Sequence, residues 1–177
     1  FAGLDNVGQF SCGFDPDFTP KGDKQHFPNK ICWGICQKFE FRKQTEKIIR
    51  AWVKKYGNNS NHVLNLLVNN PFFKPEDNQN LLAKSFGGKR FWNVNVLPPL
   101  STNDEVRQLQ EQTDIDLGGL SGGEGFNLPS FNATAMGKWS IVSNNTSHKD
   151  WATAENSILV EPDTSPDLLF DIYNSQK

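Results

Sequence analysis

Between Gln37 and Tyr56 the chain reads QKFEFRKQTEKIIRAWVKKY, and this stretch constrains the fold more than any other. At about 100° per residue, Lys43, Lys47, Arg50 and Lys54 fall in a stripe roughly 60° wide. Phe41, Ile48, Ile49, Trp52, Val53 and Tyr56 take the opposite side. The spacing predicts an amphipathic helix with a cationic back and an apolar face turned toward a core.

The flanks extend the pattern. Gly57 stands as a helix-ending glycine, and Ser60 reads as the cap of a second helix through 63–68, stopped by Pro71. Pro75, Glu76 and Asp77 open a third helix that carries Leu81 and Leu82 and ends at Gly87 and Gly88. The register then changes. FWNVNVL, 91–97, reads as a strand, and Thr102 with Glu105 forms a capping box for a helix to about Gln112. Residues 118–129 form a glycine-rich loop, 138–143 and 157–160 read as strands, Ser147 with Asp150 starts a short helix, and 166–173 is a last helix or strand. The expected fold class is α+β: a helical first half, with about three helices over 37–87, packed on a mixed, loop-rich second half with a few short strands. Residues 1–30 hold four glycines and three prolines without a sustained period and read as an irregular arm of one 177-residue domain.

Charge is unevenly distributed. Residues 21–90 hold 14 Lys or Arg against 5 Asp or Glu, whereas 91–177 hold 4 against 12. Such opposition between halves suggests a charged contact surface. No apolar run approaches the length of a membrane span. The chain starts at Phe1 and its one methionine is Met136, which is compatible with a cleaved, exported protein. Cys12, Cys32 and Cys36 allow one disulfide, from Cys12 to either of the others, and sequons at Asn58, Asn132, Asn144 and Asn145 lend faint support to glycosylation.

Chemical candidates are sparse. Cys32 lies just before the amphipathic helix, and His148 and Asp150 follow it in the order nucleophile, base, orienter. That order resembles papain-like thiol hydrolases, although no glutamine-rich oxyanion segment precedes Cys32. Gly119-Leu120-Ser121-Gly122-Gly123 satisfies G-x-S-x-G without a helix start behind it. Asp15 with Asp17, Asp114 with Asp116, and the scattered His26, His62 and His148 lack metal-ligand spacing, so neither metal nor cofactor is expected. The leading expectation is a non-enzymatic, secreted or periplasmic domain. It would contact a protein or other acidic macromolecular surface through Lys43, Lys47, Arg50, Lys54, Trp92 and Trp139. The alternatives are a thiol hydrolase using Cys32, His148 and Asp150, and a helical nucleic-acid-binding module using the basic face of 43–54.

Overall fold

The computed structural model describes residues 8, 11–20, 22 and 24–163. Six parallel strands form one sheet: β1 (Ile31–Lys38), β2 (His62–Asn69), β3 (Val94–Val96), β4 (Ile115–Gly119), β5 (Trp139–Ser143) and β6 (Ser157–Val160). Their spatial order is β3-β2-β1-β4-β5-β6. Helices α1 (Thr45–Tyr56), α2 (Pro75–Ser85), α3 (Asn103–Glu111) and α4 (Leu128–Ala135) supply the crossovers between β1 and β5. This is a doubly wound α/β domain of the Rossmann type.

The expected α+β fold with a helical first half is therefore corrected. β1 and β2 sit at the centre of the sheet and are covered on both faces, so ICWGICQK and HVLNLLVN read as short apolar runs without strand alternation. The second expected helix, capped by Ser60, is β2. The amphipathic helix exists but begins at Thr45, because Gln37 and Lys38 belong to β1 and Phe41–Lys43 is a single 3-10 turn. The strand expected over 91–97 shortens to β3. The supposed loop 118–129 contains the end of β4 and the start of α4. The Thr102–Glu105 capping box, the strands at 139–143 and 157–160 and the helix from Pro75 stand as expected. The expected element at 166–173 lies outside the described residues.

The apolar face of α1 does what its period requires. Ile48, Ile49 and Trp52 meet Trp33 and Ile35 of β1 and Leu64, Leu66 and Val68 of β2, while Leu81, Leu82 and Phe86 close over the same cluster from α2. Full burial of a side chain such as Leu64 or Ile49 contributes about 1.5–3 kcal/mol. The opposite face is more polar. There Gly34 lets Thr113 approach the sheet, since a Cβ on it would lie 2.9 Å from Thr113 Oγ1. α4 packs on β4, β5 and β1, and Gln110 ties α3 to it by donating Nε2–H to Pro129 O at 2.8 Å.

The expected disulfide is also corrected. All three cysteines are free: Cys12 is exposed, Cys32 is buried within β1, and Cys36 is half-buried on the same strand. Asn132 is buried in α4, which leaves no room for a glycan there.

Candidate functional site

In an open parallel sheet, the first strands of the two halves send their crossovers in opposite directions, and a crevice opens at the carboxyl ends between them. Here that point lies between β1 and β4. Three loops meet at it, following β1 (39–44), β4 (120–127) and β5 (144–150). Each contains a non-glycine residue with positive φ: Gln44 at 54°, Asn127 at 67° and Thr146 at 45°. Gln and Thr rarely adopt that conformation, so the surrounding bonds must hold it, a kind of strain that gathers at functional sites.

Those bonds converge on Glu124. Lys43 Nζ lies 2.6 Å from Glu124 Oε1 and Arg42 Nη1 lies 3.1 Å from Oε2, with the Glu124 side chain 6 % exposed and that of Lys43 11 %. Arg42 Nη2 also reaches Glu40 Oε1 at 2.7 Å, its Nη1 donates to Gly123 O, and its carbonyl accepts from Gly122 N at 2.8 Å. The β5 loop joins through Thr146 Oγ1, which accepts from Glu124 N at 2.9 Å, and through Asn145 Nδ2, which donates to Gly122 O at 3.3 Å. Burial pushes the Glu124 carboxyl up, but the bond and charge of Lys43 together with Arg42 outweigh it and hold the group below the usual carboxylate range. An ionised carboxylate and two cations thus sit at the mouth of the crevice, beneath the glycine-rich turn 122–125.

Two buried groups support this loop from below. Asn127 Nδ2 donates to Gly118 O at 3.1 Å and to His148 Nε2 at 3.0 Å, and His148 Nδ1 donates to Ser143 O at 2.9 Å. These partners require a neutral imidazole protonated on Nδ1, and burial lowers its pKa in agreement. Asp116 lies beneath α4 beside the Ser130 and Ser140 hydroxyls and accepts from Gly118 N at 3.2 Å; burial raises its pKa to about 6. Gly119 marks the exit from β4, where a Cβ would collide with Val142 and lie 2.7 Å from Ile141 O.

Two cavities flank the crevice. One of about 470 Å³ opens beside the β1 loop between α1 and α2, walled by Phe39, Phe41, Phe73 and Leu81. The other, about 650 Å³, runs under α3, with Asn65 and Asn95 on its floor and Leu97 and Leu100 at one end.

The structure separates the sequence-derived candidates. Lys43 leaves the expected stripe and turns inward to Glu124, while Lys47, Arg50 and Lys54 stay exposed on α1, with Arg50 paired to Glu46 at 3.0 Å. Trp92 and Trp139 are 60 % and 51 % exposed at the amino edge of the sheet, away from the crevice. The thiol-hydrolase reading fails. Cys32 is fully buried in the sheet, burial raises its thiol pKa, and both ring nitrogens of His148 are engaged elsewhere. Ser121 is buried too, and α4 starts seven residues after it, so no elbow forms. Among the described residues no group of three or more His, Cys, Asp or Glu is placed to hold a metal ion. Glu124 was missed, although the glycine-rich stretch around it was visible.

No protein-family model and no curated protein matches the sequence. Solved structures do share its fold. The C-terminal domain of a glycosyl transferase group 1 family protein, LpcC of Francisella tularensis, superposes with a TM-score of 0.70 at 21% identity, over 92% of this chain and 88% of that one. Anabaena HepE in complex with UDP-glucose matches with a TM-score of 0.62 at 17% identity, and the E. coli trehalose-6-phosphate protein bound with UDP-2-fluoro glucose with 0.62 at 12%. The match covers 85% and 87% of this chain but only 40% and 38% of those two, so the chain spans well under half of their length. These neighbours correct the functional expectation: the first is a glycosyl transferase domain and the other two hold a nucleotide sugar, which speaks against the expected non-enzymatic domain for a protein or acidic surface and the helical nucleic-acid module. The chain shares its Rossmann-like α/β fold with that C-terminal glycosyl transferase domain.

Proposed function

We propose that this chain is the donor-binding domain of a glycosyltransferase and holds a nucleoside diphosphate sugar across the carboxyl edge of its sheet. The observation that carries the reading is the Arg42–Lys43–Glu124 cluster at the β1/β4 switch point, beneath a glycine-rich turn and beside the N-terminus of α4. A diphosphate needs fixed positive charge and close approach of backbone, and that corner supplies both. Arg42 is the exposed member, with 45 % of its side chain accessible, and is free to exchange Glu124 for a phosphate oxygen. Glu124 would then keep Lys43 and turn its second oxygen to a sugar hydroxyl.

The sheet sets the direction of the rest of the ligand. β3 lies three strands from β4, about 14 Å at ordinary strand spacing. A nucleotide with its diphosphate over β1 and β4 extends its base toward the ends of β2 and β3, where the larger cavity opens at Leu97 and Leu100. Phe27, Leu97, Leu100 and Leu109 offer that cavity apolar contact, and Asn65, Asn95 and the charged and amide side chains of α3 offer hydrogen-bond partners, a mixture that suits a heterocyclic base.

Saturation-transfer NMR with UDP-glucose and other nucleoside diphosphate sugars tests the reading. Saturable binding by the wild type, weakened at least about tenfold in Arg42→Ala through loss of a charge-assisted contact, is expected. Absence of binding to every nucleoside diphosphate sugar, or equal binding by Arg42→Ala, would overturn it.

A further inference from the structure

The carboxyl edge of the sheet does not account for a group of cations at the opposite edge. α1 and α2 run back toward the start of the sheet, so their last turns and following loops gather at the amino edge with the segment entering β1. Lys30, Lys54, Lys55, Lys89 and Arg90 lie there; among the described residues of these segments the carboxylates are absent, and those elsewhere on this edge include Glu111, paired to Arg107 at 2.9 Å, Asp114, paired to Lys24 at 2.6 Å, and Glu155. Some of this charge has a local reason, since cations in the last turn of α1 offset its dipole. Lys30, Lys89 and Arg90 lie outside any helix and have no such role.

Exposed apolar side chains share this edge with the cations. Phe27, Ile31 and Trp92 are 40 %, 42 % and 60 % exposed. Lys30 Nζ stands 5.4 Å from the centre of the Phe27 ring and 5.6 Å from that of Trp92, so one ammonium sits between two outward-facing rings. Asn58 holds the platform in place by accepting from Trp92 N at 3.0 Å, while Phe91 beneath it packs against Gly57, where a Cβ would lie 2.5 Å from the ring. Phe27 lies in the turn that enters β1, where its carbonyl accepts from Lys30 N at 3.0 Å.

The carboxyl edge also exposes phenylalanines, among them Phe72 and Phe73, but among carboxylates such as Glu40, Glu46, Glu76 and Asp77. Cations stand over rings there as well, Lys38 Nζ at 5.1 Å from the centre of Phe72 and Lys47 Nζ at 5.9 Å from that of Phe41, but with carboxylates interspersed, whereas the described amino-edge segments that pair rings with cations hold no carboxylate. That pairing is the chemistry of a bilayer interface, where rings enter the headgroup layer and ammonium and guanidinium groups meet lipid phosphates. We propose that the amino edge, centred on Phe27, Lys30 and Trp92, docks on an anionic lipid bilayer. The Arg42–Lys43–Glu124 corner is at the other end of the strands and stays open in this pose, although Phe27 also lines the far end of the cavity under α3. The proposal does not depend on the assignment of that crevice.

Co-sedimentation of the full chain with phosphatidylcholine vesicles, with and without phosphatidylglycerol, tests it at low and high salt. Binding to the phosphatidylglycerol vesicles alone is expected, weakening with salt. Lys89→Glu with Arg90→Glu should lower the partition coefficient at least about tenfold, and Trp92→Ala about tenfold. All three positions are exposed, and an unchanged melting temperature confirms folding. No partition into phosphatidylglycerol vesicles overturns the proposal. So does partition that Trp92→Ala leaves unchanged, which would mean charge attraction without ring insertion. Equally tight binding to polyglutamate or DNA overturns it as well.

Discussion

Replacing Lys43 by Met isolates the ion pair at the centre of the crevice. In the wild type the ammonium touches Glu124 Oε1 at 2.6 Å, and both side chains are nearly out of water. Removing one partner of a buried pair typically costs about 3–5 kcal/mol, because the other charge is left without compensation. Glu124 keeps Arg42 at 3.1 Å, but that guanidinium is 45 % exposed and shared with Glu40, so the expected cost of Lys43→Met falls to about 2–3 kcal/mol. For a chain of this size that lowers the melting temperature by about 5–10 °C. Adding Glu124→Gln removes the orphaned charge and should restore at least about 1 kcal/mol, which makes the double mutant non-additive. The pH dependence has a definite sign. Glu124 titrates below its unfolded value, so its contribution is present above the unfolded carboxylate pKa and is lost as pH falls through the folded one. The gap between wild type and Lys43→Met should therefore narrow in acid. Urea unfolding followed by tryptophan fluorescence at neutral and acid pH measures all of these terms. A cost below about 0.5 kcal/mol with additive double-mutant energies would refute the reasoning.

Other parts of the structure give further outcomes. Asp116, with its folded pKa raised to about 6, favours the folded state most below its unfolded pKa and loses that contribution as pH rises through 6. Asp116→Asn should accordingly gain up to about 3 kcal/mol relative to wild type between acid and pH 7.5, and denaturant melts that show no such trend would contradict the buried carboxylate. His148→Ala leaves Asn127 Nδ2 and Ser143 O short of a partner and opens a void, so about 2–4 kcal/mol should be lost in the same assay. Thiol titration with a chromogenic disulfide should find one fast thiol, Cys12, in native protein and three after unfolding, because Cys32 is buried and burial holds Cys36 at about 12. Fewer than three thiols in the unfolded, unreduced chain would restore the discarded disulfide.

What the sequence disclosed followed the elements with local signals. The Thr102–Glu105 box, Pro75 at a helix start and the amphipathic face of α1 are written in a few adjacent residues. β1 and β2 are not. Central strands of a parallel sheet have two apolar faces, and only pairing with one another reveals them, here through contacts such as Ile35 with Leu66. α4 was hidden for a different reason. It starts from a left-handed Asn127 with no side-chain cap, so LPSFNATA reads as the tail of a loop. At the site, Lys43 was singled out as one of four surface cations, whereas its partner lies 81 residues away. No spacing rule connects them; the fold does, by bringing the β1 and β4 loops to one crevice. The charge asymmetry between the halves was real, but one consequence of it is an internal ion pair rather than a free surface.

Amide chemical-shift mapping on isotopically labelled protein during titration with UDP tests the central claim most directly. The account predicts saturable shifts confined to the carboxyl edge, at Arg42, Lys43 and the turn 122–127, with the amino-edge amides of Ile31 and Trp92 unmoved. Shifts gathered at the amino edge, or none at saturating UDP, would contradict it.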